Sequence, residues 1–589
     1  MIKSSANFVH AYPVLVLKGN GMIKEMIQAA RGQMPSSLVL KNGQVINVFS
    51  GEIEKTDVAI YRDTIVGVGP GYHGELEIDL NGRYLAPGFI DGHVHIESSM
   101  VEVPQFARAV VPLGTTSVIA DPHEIANVFG YEGIRYMMDA SKYNPLNVFF
   151  MLSSCVPASP LETAGSELRA FDLFPFLREK WVLGLAEVMN YPGVLNADPD
   201  VLDKIKIVPD KRVDGHAPGL SGKDLNGYIT AGVQSDHECT SVDEAREKLT
   251  RGMFIMLREG SGTKNLLDLL PLITRENERR CFFCTDDRHP NDILSEGHIN
   301  FMIRSAIRAG LAPITAIRLA TLNTAEYFGL QKLGAIGPGK MADLVVLDNF
   351  QNFHIHQVYK NGSLVAEDGV AVYAVPTRPP VTLRSSVNIK WLEGDEFVIP
   401  RRGDTCRVIG IVPDQIVTRS LQMAPTCRDG VLISDVERDL LRLYVVERHQ
   451  ASGNMGKGLV HGFGLTSGAI ATSIGHDSHN IIAIGVNDSD LIKAVTTINK
   501  MGGGVALIDQ GRVIASLELP IAGLMSNKPL EFVSSRMHEM VAACQNLGVP
   551  LADPLMTLSF LALPVIPQLK LTDLGLVDVQ NFSHVDLFL

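Results

Sequence analysis

The sequence predicts an α/β protein: a (β/α)8 TIM-type barrel inserted into a small composite β-domain and followed by a C-terminal α/β or α+β domain. Three observations predict it. Residues 85–334 alternate strand-like and helix-like segments, the pattern of a parallel sheet with crossover helices. Eight strand candidates fall in that span, and eight parallel strands in about 250 residues is the size of a closed barrel. A strand-and-turn texture with a Lys-Asn-Gly turn occurs on both sides of the span, at Lys41–Gly43 and at Lys360–Gly362, as two halves of one interrupted sheet would.

The elements follow in order. An amphipathic helix is predicted near Met22–Met34. SLVLKNGQVINVFSGE and TDVAIYRDTIVGVGP then alternate apolar and polar residues and give short strands. With KMADLVVLDNFQNFHIHQVYKNGSLVAEDG they place the composite domain at 1–84 and 335–380. The barrel strands are LAPGFIDGHVH (85–95), TTSVIADPHE (115–124), NVFFMLSSCVP (147–157), VLGLAEVMN (182–190), KRVDGHAP (211–218), GVQSDHE (232–238), MFIMLREG (253–260) and RCFFCTDD (280–287). An open doubly wound sheet would also alternate, but no Gly-rich phosphate fingerprint follows the first strand. VPTRPP (375–380) reads as a linker. From 396 to 589, EFVIP, CRVIGIVP, LRLYVVERH, NIIAIGV, GVALIDQG and RVIASLELP read as strands, with a helix at Asp488–Met501.

Composition excludes several classes. Apolar residues make up 46% and charged residues 20% of 589, so the chain buries a large core and is not disordered. The net charge of -13, without a basic run, gives no support to a nucleic-acid groove or an anionic membrane surface. The first residues lack the apolar core of a secretory signal, and no run of 18 or more apolar residues suggests a membrane span. Seven thinly spread cysteines point to a reducing compartment, and a cytoplasmic protein is expected.

The chemistry is concentrated where the eight strands end, because C-terminal strand ends converge on one mouth of such a barrel. Strand one ends in His93-Val94-His95, and alternation puts both imidazoles on one face. Strand four carries Glu187, strand five His216, strand six His237 and strand eight Asp286. This mixture of imidazole and carboxylate suits one or two Mn, Fe or Zn ions. A lone strand-end histidine is usually a hydrogen-bonded structural residue; five strand ends that all present a ligand-capable group are not explained that way.

PGFIDGHVHIESS and LGAIGPGKMADLVVLD resemble the opening and closing signatures of the amidohydrolase superfamily. Many of its members carry a carboxylated Lys on strand four. VLGLAEVMN has no Lys, so the resemblance implies that Glu187 takes the bridging place. DPHEIANVFG, SSCVPA, EVMNYPGV, DGHAPGL, YITAG, LREGS and CTDDRHP resemble the bacterial-type adenine deaminases in particular. That resemblance implies deamination of adenine to hypoxanthine in purine salvage, and two divalent metals, Mn or Fe ahead of Zn, on His93, His95, Glu187, His216, His237 and Asp286. It also implies a homo-oligomer, dimer or larger, acting on a small purine base. Glu238 is the candidate acid, and Asp286 the group that takes a proton from water and returns it to ammonia. Asp287 is a candidate for a purine N–H, or a loop cap. Arg258 and Glu259 are candidates for base recognition, or a salt bridge. Ser98 and Ser99 line the pocket or cap a helix. His123 and Glu124 are candidates for orienting the ligands, with His123 also open as a ligand.

Other signals are discounted. Cys281-Phe-Phe-Cys284 has no second pair and lies in a strand, so buried core is the better reading. HGFGL and GHDSHN bring His461, His476, Asp477 and His479 close in sequence; they form a turn cluster, a second metal site or a lid. Rival functions are a cyclic-amide hydrolase similar to dihydroorotases or hydantoinases, a deaminase of another purine or pterin, and a silent metal- or purine-binding scaffold.

Overall fold

The computed structural model describes residues 20–375, 383, 385–413 and 415–589. Residues 1–19 and most of the VPTRPP linker lie outside the described residues. The first helix spans Asn20–Ala30.

One nine-stranded sheet joins the two distant segments. Ser36–Asn47 pairs antiparallel with Glu52–Tyr61 and parallel with both Gly74–Asp79 and Tyr84–Pro87. Tyr84–Pro87 then pairs antiparallel with Leu344–Leu347, which passes the sheet on to Ile355–Lys360 and Ser363–Glu367. Leu38, Leu40, Val45, Ile60, Leu344 and Val346 share its apolar core, so alternation from both segments feeds one layer.

The two Lys-Asn-Gly triplets do different things. Asn361 and Gly362 both have positive φ and close a two-residue hairpin, as expected. Asn42 is also left-handed, but it sits at a bulge inside the strand Ser36–Asn47 rather than at a turn. A Cβ at Gly43 would lie 2.8 Å from Leu80 Cδ1, so the glycine lets the Leu80 side chain pack close against the bulge.

The barrel strands are Phe89–Val94, Thr115–Ala120, Asn147–Ser153, Val182–Val188, Arg212–Gly215, Ser235–Asp236, Phe254–Arg258 and Cys281–Cys284. Strands one to five pair in parallel, as do six to eight. Gln234 N–H donates to Val213 O at 2.9 Å across the fifth–sixth seam, and Asp286 N–H donates to His93 O at 2.9 Å where eighth meets first. Ile90, Ile119, Met151, Ala186, Met256 and Phe282 form one buried cluster drawn from six of the strands. Cys281 and Cys284 are free and buried, as the core reading has it.

The C-terminal region is an eight-stranded, mostly antiparallel sheet. Its order is Thr418–Met423, Cys406–Ile411, Met455–His461, Leu440–Val446, Ile481–Gly485, Ala469–Thr472, Gly504–Asp509 and Arg512–Glu518. The helices Asp488–Met501 and Leu530–Asn546 pack beside it. EFVIP forms no strand; Pro400 makes only an isolated bridge to Val431. The region docks on the barrel mouth through backbone bonds: Glu102 N–H to Ser526 O at 3.0 Å and Ser526 N–H to Met100 O at 2.8 Å. Among the described residues no helix is long and apolar enough to cross a membrane.

Candidate active site

The strand ends do converge. His93 Nε2 and His95 Nε2 lie 3.1 Å apart. Asp286 Oδ1 stands 3.5 Å from the first and 3.1 Å from the second. Asp286 adopts φ 58°, a left-handed conformation that Asp tolerates better than most residues, where strand eight stops. Glu187 sits between two groups. Its Oε1 is 3.7 Å from His93 Nε2 and 3.3 Å from His95 Nε2, while its Oε2 is 2.6 Å from His216 Nδ1 and 2.9 Å from His237 Nε2.

Burial alone would raise the carboxylates and lower the imidazoles, because a low-dielectric site disfavours charge. Opposite charges reverse this. Against burial, His237 and His216 hold Glu187 well below the usual carboxylate range, and Arg258, His93 and His95 do the same for Asp286. Asp286 and Glu187 lift His93 to about 10, and Glu238 and Glu187 lift His216 to about 9, both against burial.

The residues fit divalent metal. Bonds of about 2.0–2.2 Å put tetrahedral ligand atoms about 3.3–3.6 Å apart, close to most of these separations. His237 is 1% exposed, yet neither ring nitrogen makes a well-directed hydrogen bond, Nε2 meeting Glu187 Oε2 only as an ion-pair contact at 2.9 Å. A cation gives such an orphaned nitrogen its partner. His95 Nδ1 is 2.9 Å from Asp121 O, the backing a ligating histidine needs.

Sequence reasoning missed Asp121. It ends strand two, so the strand-end rule that found the others selects it too. Its Oδ2 is 3.2 Å from His123 Nδ1, and Ser153 Oγ donates to its Oδ1 at 2.7 Å. His123 lies beside the centre, with Nδ1 3.9 Å from Glu187 Oε1.

The remaining candidates divide. Glu238 stands 3.5 Å from His216 Nδ1 and 3.4 Å from His237 Nε2. Arg258 forks onto Glu238 and also donates to Asp286 Oδ2 at 2.7 Å. The salt-bridge reading is thus present in the structure. Burial raises Glu238, but Arg258, His216 and His237 hold it below its ordinary value. Ser98 donates to Asp287 Oδ1, joining two pocket candidates. Glu259 is not brought to the cluster: its charged neighbours are Lys264, Arg288 and Glu296.

A cavity opens between the barrel mouth and the C-terminal sheet. Glu97, Ser98 and Glu124 line one side, and His476, His479 and Met556 the other. The histidines of GHDSHN thus reach the barrel: His479 Nε2 bonds Glu124 Oε2, and His476 Nδ1 lies 2.8 Å from Glu124 Oε1. His461 stays on its strand opposite Leu440 and takes no part.

An amidohydrolase family model matches residues 84–365, and a model described as the adenine deaminase C-terminal domain matches residues 415–583. Among curated relatives, an adenine deaminase of Desulfatibacillum aliphaticivorans is 50% identical over 96% of this chain and 99% of its own. Adenine deaminase 2 of Carboxydothermus hydrogenoformans is 50% identical over 96% of this chain and 100% of its own. An adenine deaminase of Dehalococcoides mccartyi is 51% identical over 96% and 99%. The likeness runs through the barrel and the C-terminal sheet alike, and the chain belongs to the adenine deaminase family of amidohydrolases.

Proposed function

We propose that the chain hydrolyses adenine to hypoxanthine and ammonia at the barrel mouth, in purine salvage. The observation that carries the chemistry is Glu187, whose two oxygens face two separate sets of ligand atoms. Near-full-length likeness to adenine deaminases supports the substrate. His93, His95 and Asp286 would hold one divalent ion and His216 and His237 a second, with Glu187 shared between them; Mn or Fe is expected ahead of Zn. Bound there, the ions supply Lewis acidity and bring the pKa of water toward neutrality. Cysteine usage and family resemblance support a cytoplasmic homo-oligomer, dimer or larger.

The side chains then manage protons. A C6–O bond forms and the C6–N6 bond breaks, so a ring nitrogen must gain a proton as the carbon becomes tetrahedral. Glu238, once protonated, delivers that proton and recovers one from the C6 hydroxyl as ammonia leaves. Arg258 holds Glu238 as an anion, so base binding must draw the guanidinium away from it. Asp286, kept anionic by the same Arg258, accepts a proton from water and passes it to the departing amine. Ser98 and Asp287 bind a purine N–H at the rim, and His123 and Glu124 orient the ligands from behind.

The test is ammonia release from adenine by metal-free protein reloaded with Mn2+, Fe2+ or Zn2+, beside Glu187→Gln and an adenosine control. Metal-dependent release that collapses in Glu187→Gln is expected. No release with any of the three ions overturns the substrate.

A further inference from the structure

A second convergence of ligand atoms lies outside the barrel centre, where residues 473–480 of the C-terminal region press on the segment after strand two. Glu124 is its hub. One oxygen, Oε2, is occupied by His479 Nε2–H; the other ring nitrogen of His479 accepts from Gly475 N–H at 3.3 Å, which fixes that tautomer. The other oxygen, Oε1, has two nitrogens around it: His476 Nδ1 at 2.8 Å and His123 Nε2 at 3.5 Å. Asp477 Oδ1 lies 3.7 Å from His476 Nδ1. Ligand atoms of His123, Glu124 and Asp477 all fall within 4.8 Å of one another.

Three features distinguish this set from a plain polar contact. The side chains of His123, Glu124, His476 and Asp477 are at least nine-tenths buried, and Asp477 Oδ2 has no hydrogen-bond partner. Neither Glu124 nor Asp477 forms an ion pair with Lys or Arg among the described residues; histidines are their only cationic neighbours within ion-pair range. Two carboxylates buried that way are costly unless a cation joins them. His123 already bonds Asp121 through Nδ1, so its Nε2 is the nitrogen left for a metal, in the carboxylate–histidine–metal arrangement common at such centres. The separations bracket the roughly 3.3–3.6 Å spacing that follows from about 2.0–2.2 Å bonds.

We propose that His123, Glu124, His476 and Asp477 form a third divalent-cation site, for a transition ion such as Zn2+ or Mn2+. Two ligands come from the barrel and two from the C-terminal region, so the ion clamps one to the other across the wall of the cavity lined by Glu124 and His476. The imidazole and carboxylate donors favour such an ion over Mg2+ or Ca2+.

The experiment loads the full-length protein with Zn2+, removes loosely held metal by desalting, and counts ions per chain by mass spectrometry. Asp477→Asn and His476→Gln are treated identically. Three ions per chain are expected in the parent and two in each variant. Circular dichroism and gel filtration confirm that the variants are folded, and a second count with Mn2+ repeats the test. A parent that saturates at two ions overturns the proposal, as do folded variants that both keep the parent's count or both lose every ion. Adenine turnover is read on the same samples. Three ions without turnover would retain this site and reject the adenine reading; two ions with turnover would do the opposite.

Discussion

Lys248→Met probes what holds the ligand strands in place. The ammonium is fully buried on the helix Val242–Thr250 and donates to Asp236 Oδ2 at 2.9 Å, Glu244 Oε1 at 2.8 Å and Ala217 O at 2.6 Å. Asp236 in turn accepts from Ala217 N–H at 2.8 Å and Glu238 N–H at 3.2 Å. This network clasps the ends of strands five and six beside His216 and His237. Methionine preserves the stem but leaves Asp236 as a buried anion without its cation. Breaking one side of a buried pair costs about 3–5 kcal/mol. The Glu244 contact adds at most about 1 kcal/mol, since that carboxylate is partly solvated. A loss of about 4 kcal/mol is expected in equilibrium urea unfolding, nearly a thousandfold in the folded-to-unfolded ratio. The variant should also release metal faster on dialysis. Adding Asp236→Asn removes the stranded charge and should restore part of the loss. A loss below about 1 kcal/mol, or a double variant at the sum of the two single losses, would refute the clasp.

Three further outcomes follow. Metal removal by a chelator should abolish ammonia release and re-addition should restore it, and Glu187→Gln should not be rescued by added metal. In Arg258→Met, Asp286, which must be anionic to accept a proton, keeps the upward push of burial but loses the guanidinium that pulls it down, so the acid limb of the kcat profile should move to higher pH; an unmoved limb counts against its proton role. Lys570 is buried against Ile416 O and Phe560 O with no carboxylate partner among the described residues, and burial lowers it from 10.5 to about 7. The unfolded chain then binds the extra proton between those values, so this residue's contribution to stability rises with pH across that window and is lost as pH falls toward 7. The stability difference between the parent and Lys570→Met should therefore grow in the parent's favour from pH 7 to 10, and a flat difference would contradict the assignment.

The barrel and its converging strand-end residues were legible because both are local signals. Strand period fixes which side chains share a face, and strand ends name the residues at the mouth; His93, His95, Glu187, His216, His237 and Asp286 come together for that reason. Asp121 was legible by the same rule but was overshadowed by the neighbouring His123-Glu124. The bulge at Asn42 was not legible, since its triplet is identical to the one that closes the hairpin at Lys360–Gly362; only the partner strand decides between them. EFVIP reads as a strand by composition, but no full-length neighbour lies beside it. The contact between Glu124 and His479 joins positions 355 apart, a distance over which one sequence carries no pairing signal. Arg258 could be read either way because its partners, Glu238 and Asp286, belong to other strands.

The pairing of Ala86 with Val345 has a kinetic consequence. Those residues are neighbours in the small sheet, yet the whole barrel lies between them in the chain. Closing a free loop of about 260 residues costs about 5 kcal/mol in chain entropy, so this pairing is a poor place to begin folding. Once the barrel has curled, its two ends are already adjacent and the closure cost has vanished. The small sheet should therefore gain its amide protection after the barrel does, even though its first strands are synthesised earlier.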